Sequence, residues 1–167
     1  MRRLPRLLAS YGSYHRDPRN RRTHYAGVPL IIYAVLIAAA LPILTIYGLA
    51  IRPDRLLVFC LVAGYLSLDL RLGLVLAVLL TLLAWAAEVT AACGLVPSLC
   101  IAGVVFLVGW ALQLFGHYLE GNRPALVNNL SQTVVSPLYL VAELAFALGW
   151  RQPLRTEVEA GLNALPR

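Results

Sequence analysis

Apolar residues fall into five runs separated by short polar breaks. The runs are Val28 to Ile51, Leu56 to Leu68, Gly73 to Cys93, Pro97 to Phe115 and Val134 to Trp150. A helix that crosses a bilayer needs about 20 predominantly apolar residues. The first run is long enough. Pro29 is tolerated in its first turn, and Pro42 is expected to kink or split it near the middle. The second run is short and becomes adequate if helix continues through Asp69 and Leu70. Arg52-Pro53-Asp54-Arg55 makes a polar turn before it, and Gly94 and Pro97 mark the turn between the third and fourth runs. The pattern predicts an all-α fold, a polytopic membrane helix bundle with four transmembrane helices. The fifth run contains Pro137 and Glu143. If it crossed, it would carry Arg151 and Arg155 to the outer side, against the positive-inside bias. It is therefore expected to be a re-entrant or interfacial segment.

Upstream of these runs the chain is polar and basic, with Pro5 and Pro18 as breakers. Residues 4–15 can form a short interfacial helix with Leu4, Leu7, Leu8, Tyr11 and Tyr14 on one side. The implied organisation is a basic N-terminal segment (1–27), one membrane-bundle domain (28–150) and a polar, loosely ordered tail (151–167).

Composition supports a membrane protein. Of 167 residues, 60% are hydrophobic and 13% are charged, against about 25% charged in a soluble domain. The net charge of +6 does not point to nucleic acid, because seven of the 14 basic residues precede Tyr25 and all 14 are arginine. Such a cluster beside a membrane segment reads as a cytoplasmic anchor facing anionic lipid. No apolar core or small-residue cleavage site marks a signal peptide in the first twenty-odd residues. The all-arginine complement suggests a bacterial inner membrane; a eukaryotic host would place the chain in the endoplasmic reticulum. Cys60, Cys93 and Cys100 lie in or beside apolar runs without CxxC spacing and read as buried, inert thiols.

Topology then groups the chemistry. With the N-terminus in the cytoplasm, four spans return the chain to that side at His117. His15 and His24 precede the first span, and Asp69 lies at the cytoplasmic end of the second. His15 and His24 are nine residues apart, which on one straight helix would put them on opposite faces. Pro18 disfavours helix at Asp17, and a break there lets both turn to one point. Asn20 and His24 share a face if helix resumes after Pro18. His117 and Glu120 are three apart on one face, with Gln113 a turn earlier.

Imidazole suits Fe, Zn, Cu or Ni, and imidazole with carboxylate leaves Fe(II) and Zn(II) as the main choices. His15, His24 and His117 could hold a metal at the bilayer surface, with Glu120 as a fourth ligand or as a group that orients a histidine. Asp69 pairs with Arg71 or supports the site. No HExxH and no nucleophile elbow occurs. The residues alone leave open a zinc-dependent membrane hydrolase with Glu120 as general base, and a non-catalytic scaffold or transporter with structural histidines.

Tyr14-His15-Arg16-Asp17-Pro18-Arg19-Asn20-Arg21-Arg22-Thr23-His24-Tyr25-Ala26-Gly27-Val28-Pro29-Leu30 resembles the YHxxxxNxxxHxxGxPL opening of a small membrane-protein family long labelled a domain of unknown function. That family includes a yeast 2-hydroxy fatty acid dioxygenase. Tyr65-Leu66-Ser67-Leu68-Asp69 and Gly116-His117-Tyr118-Leu119-Glu120-Gly121-Asn122-Arg123-Pro124-Ala125 are similar to its later motifs, in the same order. The resemblance implies an Fe(II)-dependent oxygenase that shortens 2-hydroxy fatty acids by one carbon (α-oxidation) with O2. By analogy, His15, His24 and His117 would carry the iron, and Glu120, Asn20 and Asp69 would be further ligands or supporting groups. Arg123 or Arg22 could hold the substrate carboxylate by a charge-assisted pair, with the acyl tail in the bilayer or between spans.

Overall fold

The computed structural model describes residues 3–47, 49–121 and 131–165. Among these residues, seven helices and one small hairpin follow in order: α1 Arg3–Ser13, α2 Pro18–Ala40, β1 Leu44–Ile46, β2 Leu49–Ile51, α3 Pro53–Leu68, α4 Leu70–Ala91, α5 Leu95–Glu120, α6 Ser131–Ala147 and α7 Gln152–Asn163. The all-α membrane bundle expected from the hydropathy pattern is the fold observed.

The first span differs from its expected bounds. Helix α2 starts at Pro18 rather than Val28 and ends at Ala40 rather than Ile51. Local chemistry sets both ends. The Asp17 side chain accepts from the Arg19 amide as N-cap, and Pro18 follows at the first helical position, where its missing N–H is harmless. Leu41 keeps helical backbone (φ −69°, ψ −48°), and the helix ends there because Pro42 has no N–H to continue the hydrogen-bond ladder; Pro42 terminates the helix instead of kinking it. The residues beyond pair as the antiparallel β1–β2 hairpin, with Leu44 opposite Ile51. Pro29 lies inside α2 without ending it.

The second span also stops short. Asp69 has extended backbone (φ −156°, ψ 121°), and its carboxylate accepts from the amides of Arg71 and Leu72 as N-cap of α4. This leaves α3 with 16 residues, about 24 Å long, under the roughly 30 Å hydrocarbon core. Among the described residues, three helices, α2, α4 and α5, are long and apolar enough to cross a membrane. A fourth crossing is reached only if α6 and α7 count as one broken span; they meet at a bend of 118°, a shape that also suits a re-entrant segment. The tail expected to be loosely ordered instead forms α7, which packs on α1 and buries Leu154 and Val158.

Helices α2 and α5 make the most extensive contact in the bundle. Glycine permits it. A Cβ on Gly109 would lie 2.8 Å from Ile31 Cγ1 and 3.1 Å from the Gly27 carbonyl oxygen. A Cβ on Gly116 would collide with Thr23 Oγ1 and Asn20 Oδ1. Small residues that let backbones approach are the usual device for packing helices in lipid, where apolar burial drives no association. At one end of this pair, α1, α6 and α7 pack into a further apolar cluster that includes Leu8, Leu138 and Leu154. The cysteines are exposed on the bundle, not buried, as apolar surface facing lipid allows.

Gly109→Val should lower the melting midpoint of the purified protein in detergent, since overpacking costs about 1–3 kcal/mol. An unchanged midpoint would show that α2 and α5 do not touch at this position.

Candidate metal centre

Two local features bring His15 and His24 together. At the end of α1 the chain tightens, with the His15 amide donating to the Gly12 carbonyl at 3.1 Å. It then turns through Asp17 and enters α2, so His24 stands one turn above Asn20. His15 Nδ1 lies 2.9 Å from the Tyr11 carbonyl oxygen, and His24 Nδ1 lies 2.9 Å from the Asn20 carbonyl oxygen. A carbonyl only accepts, so each Nδ1 carries the ring proton. Each neutral ring therefore has a bare lone pair on Nε2, and the two Nε2 atoms face each other at 3.1 Å.

Two facing lone pairs repel unless something positive lies between them. A shared proton would serve, but burial pushes the His15 pKa down to about 4, so the ring is neutral at ordinary pH. A cation serves without that cost. His117 completes the group from the last turn of α5, with ring centroids 4.9 Å from His15 and 5.1 Å from His24. All three are buried, at 2%, 3% and 4% exposure. One ligand atom from each lies within 4.8 Å of the others.

These residues fit a divalent transition metal on the chemistry of the donors. Neutral imidazoles whose second nitrogen donates to a backbone carbonyl are the usual form of a metal-bound histidine. A 3.1 Å separation suits two nitrogens sharing one ion at about 2.0–2.1 Å.

Glu120 stands beside this group but is engaged elsewhere. Its Oε1 accepts from the backbone amides of Arg16 (2.5 Å) and Asp17 (3.0 Å), and its Oε2 accepts from Asn20 Nδ2. It therefore ties the end of α5 to the turn that carries His15. Asn20 is fully buried, and its Oδ1 has no hydrogen-bond partner among the described residues. Its Nδ2 also lies 3.5 Å from His117 Nδ1.

The other residues singled out in the sequence are not brought to the histidines. Asp69 caps α4 and pairs with Arg151, not Arg71. Arg22 is exposed and lines neither cavity near the site. Arg123 lies outside the described residues.

Sequence reasoning missed several groups. Tyr11 stacks on His15, with centroids 4.1 Å apart and planes 3° apart, and its hydroxyl meets Ser136 Oγ at 2.7 Å. Its place one helical turn before His15 was the available signal. Ser136 comes from α6, and nothing in the sequence joins that segment to α1. A cavity of about 320 Å³ opens from the histidines between α2 and α5, walled by Val28, Ile31, Ile32, Phe106 and Trp110.

A polytopic membrane bundle with a buried three-imidazole centre at one end, opening on an apolar cavity, defines the class of this protein. The chain belongs to the Mpo1-like family: the family described as "2-hydroxy-palmitic acid dioxygenase Mpo1-like" matches residues 1–148. It is similar to the 2-hydroxy-palmitic acid dioxygenase MPO1 of Saccharomyces cerevisiae, at 32% identity over 162 residues, covering 96% of this chain and 90% of the yeast protein. No solved structure matches the chain.

Glu120→Gln should leave the protein folded but lower its metal affinity about 10–100-fold, as loss of a supporting hydrogen bond does. Competitive chelator titration of the purified variant measures this. An affinity equal to wild type would show that the Glu120 clamp does not position His15.

Proposed function

We propose that the protein is an Fe(II)-dependent dioxygenase that shortens 2-hydroxy fatty acids by one carbon with O2. The observation that carries this reading is the pair of bare Nε2 atoms facing each other at 3.1 Å beside a third buried imidazole. Similarity to a yeast protein named for 2-hydroxy-palmitic acid supplies the substrate class.

In this reading His15, His24 and His117 hold the iron. When bound, Fe(II) supplies the oxygen chemistry and a positive charge for the substrate's carboxylate. The chain's own groups do the rest. The carbonyls of Tyr11 and Asn20 keep the Nδ1 protons in place and the Nε2 lone pairs directed inward. The stacked ring of Tyr11 stops His15 from rotating. The apolar walls between α2 and α5 take the acyl tail and keep water from the reacting end. Among the described residues, no lysine or arginine lines that cavity. Arg22 is therefore not retained as the carboxylate's partner in this proposal, and Arg123, outside the described residues, keeps that role as a candidate.

The hydrolase alternative needs Glu120 as a general base. Both of its oxygens already accept hydrogen bonds from N–H groups, so neither is free to take a proton from a water at the histidines. We also place the histidine end, with the N-terminus, on the cytoplasmic side, on the strength of the arginines clustered before Tyr25.

Protein purified without oxygen should contain about one iron per chain, and His117→Ala should lose most of it. Adding a 2-hydroxy fatty acid to the wild type should trigger oxygen uptake, with an acid one carbon shorter as product. One zinc per chain with activity in the absence of oxygen would move the assignment to a hydrolase. No metal in a folded protein would leave the histidines structural.

A further inference from the structure

The polar groups of the cavity are confined to its histidine end, and most are already engaged. The Tyr11 hydroxyl is bonded to Ser136, and Gln132 Nε2 donates to Ser10 Oγ at 3.1 Å. Gln113 lines the cavity and is 8% exposed, and it makes no hydrogen bond among the described residues, while its amide is not shut away from the cavity. Gln132 Oε1, on the same cavity, is buried and also without a partner among the described residues, so a reason to single out Gln113 has to come from elsewhere.

Position supplies a reason. Gln113 lies four residues before His117, so the two share a face of α5. Gly27 stands across from it on α2. A Cβ there would come within 3.2 Å of Gln113 Nε2, so glycine at this position leaves the amide its room. An amide offers an acceptor and donors together, which is what a hydroxyl requires; a carboxylate only accepts. With no lysine or arginine among the described residues of the cavity wall, the amide suits a neutral polar group at this point, beside the histidines and above the apolar walls.

Resting on the dioxygenase reading above, we infer that Gln113 is the specificity-determining residue that binds the 2-hydroxyl of the substrate, separating hydroxylated from plain acyl chains and one enantiomer from the other. A single fixed amide on one wall can reach the hydroxyl of only one enantiomer when the tail lies in the cavity and the acid end lies at the histidines. A site that hydrogen-bonds a substrate hydroxyl rejects analogues lacking it, because its own buried polar group is then left unpaired.

The test uses the intact, metal-loaded protein, wild type beside Gln113→Met, a substitution of similar length without donors or acceptors of comparable strength. Displacement of a fluorescent fatty acid gives affinities for (R)- and (S)-2-hydroxypalmitic acid and for palmitic acid. Ratios are compared, so differences in the amount of folded protein cancel. The wild type should prefer one hydroxy enantiomer. In Gln113→Met both the hydroxy-to-plain ratio and the enantiomer ratio should fall about tenfold, while palmitic acid binds as before. Unchanged ratios, or an equal loss for all three acids, would overturn the assignment; equal loss would mark Gln113 as structural. No preference in the wild type would also overturn it. Oxygen uptake with 2-hydroxypalmitic acid separates the two levels. Uptake with unchanged ratios removes only the role of Gln113, whereas no uptake by iron-loaded wild type removes the dioxygenase reading itself.

Discussion

Three N–H groups converge on the carboxylate of Glu120: the backbone amides of Arg16 and Asp17 and the side-chain amide of Asn20. A carboxylate on the last residue of α5 stands at the negative end of that helix dipole, which is unfavourable taken alone. Because α2 runs antiparallel to α5, the same carboxylate also lies at the positive N-terminal end of α2, where unpaired amides need an acceptor. The crossing of the helices at Gly116 brings the two ends close enough for this exchange. His15, on the turn, and His117, on α5, have no covalent reason to meet, and the Glu120 clamp is what fixes one relative to the other.

The second constraint is tautomeric. Asn20 serves twice, its main-chain carbonyl orienting His24 and its side chain holding Glu120. Tyr11 likewise orients His15 by its carbonyl and stacks on the ring. Each ring is thus controlled by the residue one helical turn before it. That economy explains why the centre needs so little surrounding chain. The same four-residue step places Gln113 beside His117.

Much of the site could be read before the structure. The three histidines were expected at one place and do cluster, and Pro18 permitted His15 and His24 to face one point; the four crossings used to reach that expectation are not what the described residues show, because α3 is too short to cross. The early start of α2 could not be read from hydropathy, because Arg19, Arg21 and Arg22 make its first turns polar although Asp17 and Pro18 cap them as helix. A cap acts through one hydrogen bond and leaves no trace in an average over a window. Asp69 misled for the same reason. A carboxylate near the membrane boundary suggests chemistry, yet its oxygens serve the start of α4 and the guanidinium of Arg151. Glu120 was recognised as part of the centre, but as a candidate ligand. Backbone amides have no sequence signature, so their claim on it was invisible.

Charge distribution gives the centre its character. At the far end of the bundle, Arg52 reaches Asp54 at 3.3 Å and Glu88 at 3.7 Å, and Arg55 reaches Glu88 at 2.8 Å. At the histidine end, Asp17 pairs with Arg19, Glu143 with Arg21 and Asp69 with Arg151, while Glu120 is taken by amides. Each of these carboxylates already has a partner among the described residues. A cation held by three neutral rings keeps its full double charge. Under the proposed function, with no lysine or arginine among the described residues of the cavity wall, that charge would attract an acid across low-dielectric surroundings that weaken it little. An anionic head and an apolar tail would then be selected by one arrangement, a neutral ligand set at the mouth of an apolar groove.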